Sequence, residues 1–467
     1  MLTDRVRLRG VRYAGLAGSV LLALGAYLGG VFPTWQPDVT PASIWRGDHG
    51  PVILACWLVG TALLTGAWWW GHAIVTSTRW AYLTAGLWLV PLLAVPPLGS
   101  RDVYSYACQG WVFADGQDPY AAGVAELGCP WLDSVSPIWR DSPAPYGPLF
   151  VLLAGVAAAV GGTLAGTVAM LRLVALLGIV LTAACLPVLA RRAGAPPARA
   201  AWLALASPLV GVHLLAGAHN DALMVGLMVA GLAVVATWPG RTGPLLAGGG
   251  LLGLAVAVKV TAVVVVPFAV LLAVRGGYRP AALAGAGVRV LAGGLAALLG
   301  VAAVSGLGWG WVDGLARSGD SEQWTSPPTA VGLTVGYLAR PFGADWDAVP
   351  AVRAVAVVAL AVLLVALWWR AVRRRTPLLG AGLALAATVA FAPVFHPWYA
   401  YWPLAVLAVT MLPARWLLAP VSTIAFLTLP DGTNLARFSK FPGAVAITAM
   451  AAVAVIVVAR RALATRS

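Results

Sequence analysis

An arginine and an aspartate stand side by side, Arg101 and Asp102, directly after an apolar run in PPLGSRDVYSYACQGW. A carboxylate held there, at a membrane surface, can act as a general base toward a hydroxyl on a lipid-linked substrate. A neighbouring guanidinium suits a phosphate. The plainer alternative is an interfacial anchor and helix cap. Asp115 and Asp118, in ADGQDPY, read as turn residues, because Asp before Pro starts turns well.

Three more clusters could carry chemistry. GAHNDALM sets His219, Asn220 and Asp221 in a row at the end of an apolar run. Ionisable groups at membrane depth are functional candidates; capping of the next helix by Asn220 or Asp221 is the alternative. No HExxH or second-histidine spacing accompanies them, so no metal is expected. Lys259 interrupts AVKVTAVVVVPF in a chain whose other lysine is Lys440. An ammonium in such a run needs an anionic partner, for which a lipid phosphate is natural, or must snorkel to the interface. Arg172, opening another apolar run, is a weaker candidate for the same phosphate. FHPWYAYWP offers His396, Trp398, Tyr399, Tyr401 and Trp402 to stack on sugar rings and bond hydroxyls, although Trp and Tyr crowd membrane interfaces everywhere. Cys108 and Cys129 share one loop; a disulfide between them would add roughly 3 kcal/mol in the chain-entropy model. Cys56 and Cys185 read as apolar fillers.

These residues must be positioned by membrane helices. The chain has 467 residues, 61% hydrophobic and 10% charged, with a mean hydropathy of +0.87. Soluble chains carry about 25% charge, so a soluble enzyme, a disordered protein and a disulfide-knit secreted domain are excluded. The expected fold is an all-α polytopic bundle of about fourteen spans. They fall near 13–32, 51–70, 80–98, 173–190, 200–217, 221–237, 244–258, 261–274, 290–308, 351–369, 377–395, 401–413, 416–430 and 442–459. Residues 147–162 are apolar enough to span but break the parity of the arginine clusters, so a shallow or re-entrant helix is expected there. The two short runs flanking Lys259 read as a hairpin with the lysine at its outer tip. Structured loops are expected at about 99–146 and 309–350, with short interfacial helices, no internal repeat and no soluble domain.

The net charge of +14 is an orientation signal rather than a nucleic-acid footprint. Arginine clusters at both termini and in alternate loops place the N- and C-termini in the cytoplasm. The acids are independent of that arginine pattern, and in this topology all of them except Asp4 fall on the outer face. The chemistry is expected there, at the cell membrane.

The ordered set RDVYSYACQGW, DPY, PAPYGPL, GAHNDAL, AVKVTAVVVVPF and HPWY resembles the polyprenol-phosphomannose-dependent α-1,6-mannosyltransferases of the MptA/MptB type, in the GT-C superfamily of membrane glycosyltransferases. The resemblance runs from about Leu98 to Tyr401. It implies a polyprenyl-phosphate-mannose donor, a mannosylated lipid acceptor, and an outer-face catalytic aspartate that matches Asp102. A β-linked donor giving an α-1,6 bond implies inversion. Asp102 would take the proton from a mannose 6-hydroxyl while polyprenyl phosphate leaves, its charge met by Lys259 or Arg101. Arg101, Tyr104, His219, Asn220, Asp221, Lys259, His396, Trp398 and Tyr399 are expected to bind substrate, with no cofactor and no nucleic-acid partner. Two more spans precede this loop than the superfamily pattern has. The rivals are a GT-C transferase of another polyprenyl-phosphate sugar or linkage, and a lipid or solute transporter without chemistry. The chain has no Walker A motif and no acids within its spans, which weakens the transporter.

Overall fold

A computed structural model of the chain describes residues 2–34, 39–317, 322–343 and 346–464. Asp38, Asp320 and Asp345, assigned above to the outer face, lie outside them. All regular secondary structure among the described residues is helical, apart from one isolated antiparallel bridge, Thr428 to Asn434.

Six helices are long and apolar enough to cross a membrane: Arg5–Gly29, Gly50–Ile74, Leu164–Arg192, Pro280–Ser305, Val349–Arg374 and Leu435–Val457. A bent pair, Pro197–Leu205 and Val210–Ala216, makes a seventh if counted as one span. The expected count of about fourteen exceeds these, because the remaining apolar segments fold into shorter helices. Asp221–Thr237 and Thr242–Val258 have 17 residues each, at the lower end of the roughly 17–25 that a crossing takes. Tyr401–Leu407 and Arg415–Ile424 have only 7 and 10. Pro148–Gly161 has 14 residues, about 21 Å at the α-helical rise. It turns at Gly162 and doubles back along Leu164–Arg192.

Burial sorts these elements into a core and a lipid-facing shell. In Pro280–Ser305 and Val349–Arg374, 11% and 6% of the most apolar stretch is buried. Val355, Val358, Val362 and Val365 point outward. An apolar helix with its side chains exposed is stable only against lipid. By contrast, every residue from 201 to 233 is buried. That stretch holds most of the bent pair, the GAHND turn and most of the helix that follows, and it lies in the core. Close helix contacts are made through glycine: at Gly249 and Gly253 an added Cβ would lie 2.1 Å from the backbone oxygens of Val290 and Gly294. Such small-residue seams are how membrane helices approach.

Two sets of contacts define the ends of the bundle. At one end Arg192 donates to the Thr237 carbonyl and Arg375 to the Gly276 carbonyl. Gly240 N–H bonds the Ala273 carbonyl, tying together the two feet of the Lys259 hairpin. Arg199 donates to the carbonyls of Ala408, Thr410 and Leu412, closing the helix Tyr401–Leu407. Arg192, Arg199 and Arg375 thus gather at one end. Asp102, Asp221 and Lys259 lie at the other.

That other end is roofed by the two expected loops. The first contains the helix Asp102–Ala114 and short 3-10 turns; the second contains Trp311–Arg317 and Pro327–Ala339. Cys108 and Cys129 are joined by a disulfide, Cα to Cα 5.6 Å, which pins the helix Asp102–Ala114 to the turn after it. Replacing both cysteines by alanine is expected to cost about 3 kcal/mol of stability. The measurement is the thermal unfolding midpoint in detergent; an unchanged midpoint would show that packing alone holds this loop.

Candidate active site

Asp102 is the first residue of its helix, where the macrodipole favours an anion. Its carboxylate does not cap that helix. Asp102 N–H donates to Ser100 Oγ at 3.1 Å, while Oδ1 accepts the Trp139 indole N–H at 3.3 Å. Oδ2 lies 4.0 Å from His219 Nδ1, and the carboxylate side chain is 13% exposed. The helix-cap alternative for Asp102 therefore does not describe its geometry. Burial is the largest influence on its acidity and raises its pKa to about 6. Asp221 adds to that rise; Lys259 and the Trp139 N–H oppose it.

The GAHND segment lies inside the protein rather than beside hydrocarbon. Val210–Ala216 is a turn of π-helix, a form that recurs at functional sites. Arg172, offered above as a phosphate ligand, instead secures this turn. Its guanidinium donates to the carbonyls of Leu215, Ala216 and Leu93. Ala218 then takes a left-handed conformation, φ +50°, and the chain enters the next helix at Asp221. Neither Asn220 nor Asp221 caps that helix with its side chain. His219 Nδ1 meets the Tyr106 hydroxyl at 3.2 Å. Both side-chain polar atoms of Asn220 and the Nε2 of His219 are buried without a partner among the described residues.

Lys259 sits at the break between Thr242–Val258 and Val260–Val265, as the hairpin expectation required. Its partner is a carboxylate of this chain: Nζ bonds Asp221 Oδ1 at 2.9 Å. The Trp402 indole N–H donates to the same oxygen at 2.6 Å. Tyr399 and Trp402 box the ammonium at 4.5 and 5.1 Å from their ring centres, a cation–π arrangement.

Trp398 is covered on both faces. His219 stacks on it at 3.8 Å and His396 at 4.6 Å between ring centres. It offers an edge to the cavity, not a platform for a sugar. Burial, with Lys259 and His213 nearby, lowers the pKa of His396 to about 3, so its imidazole is neutral near pH 7. Tyr104 donates its hydroxyl to the Val31 carbonyl at 2.6 Å and braces the loop.

A cavity of about 910 Å³ opens onto Asp102 and is also lined by Arg101, Trp139, His396, Trp398 and Asp431. Arg101 is fixed in its wall by donating to the carbonyls of Ser134 and Phe32. Lys259, Asp221, Asn220, His219 and Tyr399 are not among its lining residues and stand behind it. Two contributors were not read as site residues from the sequence. One is Trp139. The other is the turn LPDGTN, whose Gly432 has φ +91° and leaves 3.1 Å between an added Cβ and the backbone of Ser100. Gly99 N–H reaches the Pro430 carbonyl beside it. Asp–Gly after Pro is a readable turn signal, but its docking site is not readable from the sequence.

Breaking a buried ion pair from one side leaves a charge stranded, at about 3–5 kcal/mol. Lys259→Met and Asp221→Asn are each expected to be strongly destabilised, and the double variant less than their sum. Unfolding midpoints of the four proteins form the cycle; strict additivity would show that the pair is uncoupled.

Residues 12–275 match a family model described as Alpha-(1->6)-mannopyranosyltransferase, N-terminal domain, of the MptA/MptB family. Residues 328–460 match the MptB C-terminal domain. Alpha-(1->6)-mannopyranosyltransferase A of Mycobacterium tuberculosis is 36% identical over 90% of this chain and 84% of its own. Alpha-(1->6)-mannopyranosyltransferase B of Corynebacterium glutamicum is 28% identical over 91% and 77%. A crystal structure of the Archaeoglobus fulgidus oligosaccharyltransferase, in complex with Zn and sulfate, covers 77% of this chain and 53% of its own at 16% identity, with a TM-score of 0.40. With two family models matched along most of its length and a relative above one-third identity, the chain belongs to the MptA/MptB family of α-(1→6)-mannopyranosyltransferases.

Proposed function

We propose that this protein transfers mannose from a polyprenyl-phosphate-mannose to the 6-hydroxyl of a mannan lipid acceptor, with inversion and with Asp102 as the general base. The observation that carries this reading is the placement of Asp102. It is a buried carboxylate with pKa about 6 on the wall of the 910 Å³ cavity, deprotonated near neutral pH yet basic enough to take a proton. Support for the sugar comes from the family and from the names its relatives carry.

The chemistry needs no second carboxylate. A phosphate is a stable leaving anion and requires no general acid. Attack by the acceptor oxygen on the anomeric carbon inverts the centre in one displacement while Asp102 removes the hydroxyl proton. Arg101, in the cavity wall next to Asp102, is the cation that meets the developing phosphate charge. Lys259 is neutralised by Asp221 and acts from behind, holding down the pKa of Asp102. His396, kept neutral by burial, serves as a hydrogen-bonding group for sugar hydroxyls rather than as a phosphate ligand. The short helices around Asp221 and Lys259 sink the site into the depth where a polyprenyl phosphate headgroup lies. We place this end on the outer face of the cell membrane, since Arg192, Arg199 and Arg375 gather at the opposite end.

Purified protein, labelled polyprenyl-phosphate-mannose and a synthetic α-1,6-dimannoside test the reading. Asp102→Asn is expected to lower kcat by about 10²–10⁴, the range of a general base, with little change in donor KM. In the wild-type protein the base works only as the carboxylate, so kcat should fall as pH drops through about 6. Transfer that survives Asp102→Asn undiminished would remove the base assignment, and no transfer from any polyprenyl donor would remove the reaction.

A further inference from the structure

Asp102 faces two cavities. The large one takes the substrates under the reading above. The second is narrow, and it shares Asp102 and Trp139 with the first. Its walls are Asp102, Ser105 and Gln109 on one helix stripe, Trp139, Ser142 of the same outer loop, and Gly314 of Trp311–Arg317. Positions i, i+3 and i+7 share a helix face, so Ser105 and Gln109 follow Asp102 by helix geometry alone. Ser105 and Gln109 are 3% and 4% exposed. Ser105 Oγ and Gln109 Oε1 both lack a hydrogen-bond partner among the described residues.

Buried polar atoms left without partners are costly, about 1–3 kcal/mol each. Two of them facing one small space, beside a carboxylate, are the partners of a bound molecule. Size decides which molecule. The space open to water is about 10 Å³, which is room for one water and for no sugar ring. Three polar groups around it meet the two to four contacts that a buried water requires.

We propose that Ser105 and Gln109 hold a water against Asp102, and that this water carries the proton away from the base after each transfer. The inference rests on Asp102 being that base. In the transfer step the acceptor O–H bond breaks and its oxygen bonds to the anomeric carbon. The phosphate leaves with the bonding electron pair, and the proton sits on Asp102. Asp102 then gives the proton to the water, which releases one of its own to solvent past the half-buried Ser142. The carboxylate is restored without the proton re-entering the substrate cavity. Ser105 and Gln109 are positioning residues: they touch the water and not the sugar. The other ionisable groups around Asp102 are Arg101, His396 and Asp431 on the large cavity, and His219, Tyr106, Tyr146, Tyr399 and the Lys259–Asp221 pair. None of these except Tyr146 lines the small cavity.

The test uses the full chain in detergent or nanodiscs with the same donor and dimannoside. Ser105→Ala removes one oxygen and Gln109→Leu keeps the side-chain size, so both should fold with unchanged unfolding midpoints. In each, kcat is expected to fall about tenfold, at the low end for impaired proton transfer, with donor KM within about twofold. Loss of a hydrogen bond to the charged carboxylate also moves the acid limb of the kcat–pH profile upward by about one unit. A structural role would not move that limb. Unchanged kcat and an unmoved limb in both variants, with Asp102→Asn inactive, overturn the water relay and leave the base reading standing. A raised KM with unchanged kcat also overturns it, by placing these residues on substrate. Full activity in Asp102→Asn removes the base reading, and the relay with it.

Discussion

The ion pair between Lys259 and Asp221 organises this end of the protein. Either charge alone among apolar helices would cost several kcal/mol. Held together at 2.9 Å, with an indole N–H on the same carboxylate oxygen, they form a neutral unit. The two partners sit where two helices stop short: Lys259 at the tip of a hairpin, Asp221 at the start of the helix after the GAHND turn. Their contact fixes the hairpin against the buried helix Asp221–Thr237. The aromatic residues of HPWYAYW close around the ammonium, and that brings His396 and Trp398 to the cavity. The proposed base then sits on a foundation whose charge is already balanced.

Breaking helices inside a membrane exposes backbone groups that lipid cannot satisfy. Arginine side chains meet that need at both ends of the bundle. Arg172 donates to two carbonyls where the π-turn gives way to the GAHND turn and to a third at Leu93, and Arg199 donates to three at the far end of the segment that begins at Tyr401. Each acts as a cap supplied by another element. This explains why a buried guanidinium in a span need not mark a phosphate site.

Several site residues were legible because their chemistry is local. Asp102 after an apolar run, a lysine in a chain nearly without lysine, and three polar residues in a row all stand out against a hydrophobic background. Two cysteines in one loop gave the disulfide that the fold contains. Other residues had no local signal. Trp139 is one tryptophan among 22 until it donates to Asp102. Asp431 and Gly432 look like an ordinary turn until that turn docks on Ser100. Trp398 looks like a sugar platform until two imidazoles cover its faces.

The sequence by itself determined the environment and the orientation. A chain with so few charges suits lipid rather than water, and the separation of arginines from acids is the sequence signal from which the proposed orientation is argued. Its ordered motifs also determined the family. The tertiary structure decided the partnerships. Sequence order cannot say that Lys259 is paired with Asp221 rather than with a phosphate, because both are favourable for an ammonium, and distance alone chooses between them. It also decided how closely the helices approach, since glycine seams such as Gly249 and Gly253 against Val290 and Gly294 are visible only once the helices pack. The cavity at Asp102 is a product of those two choices.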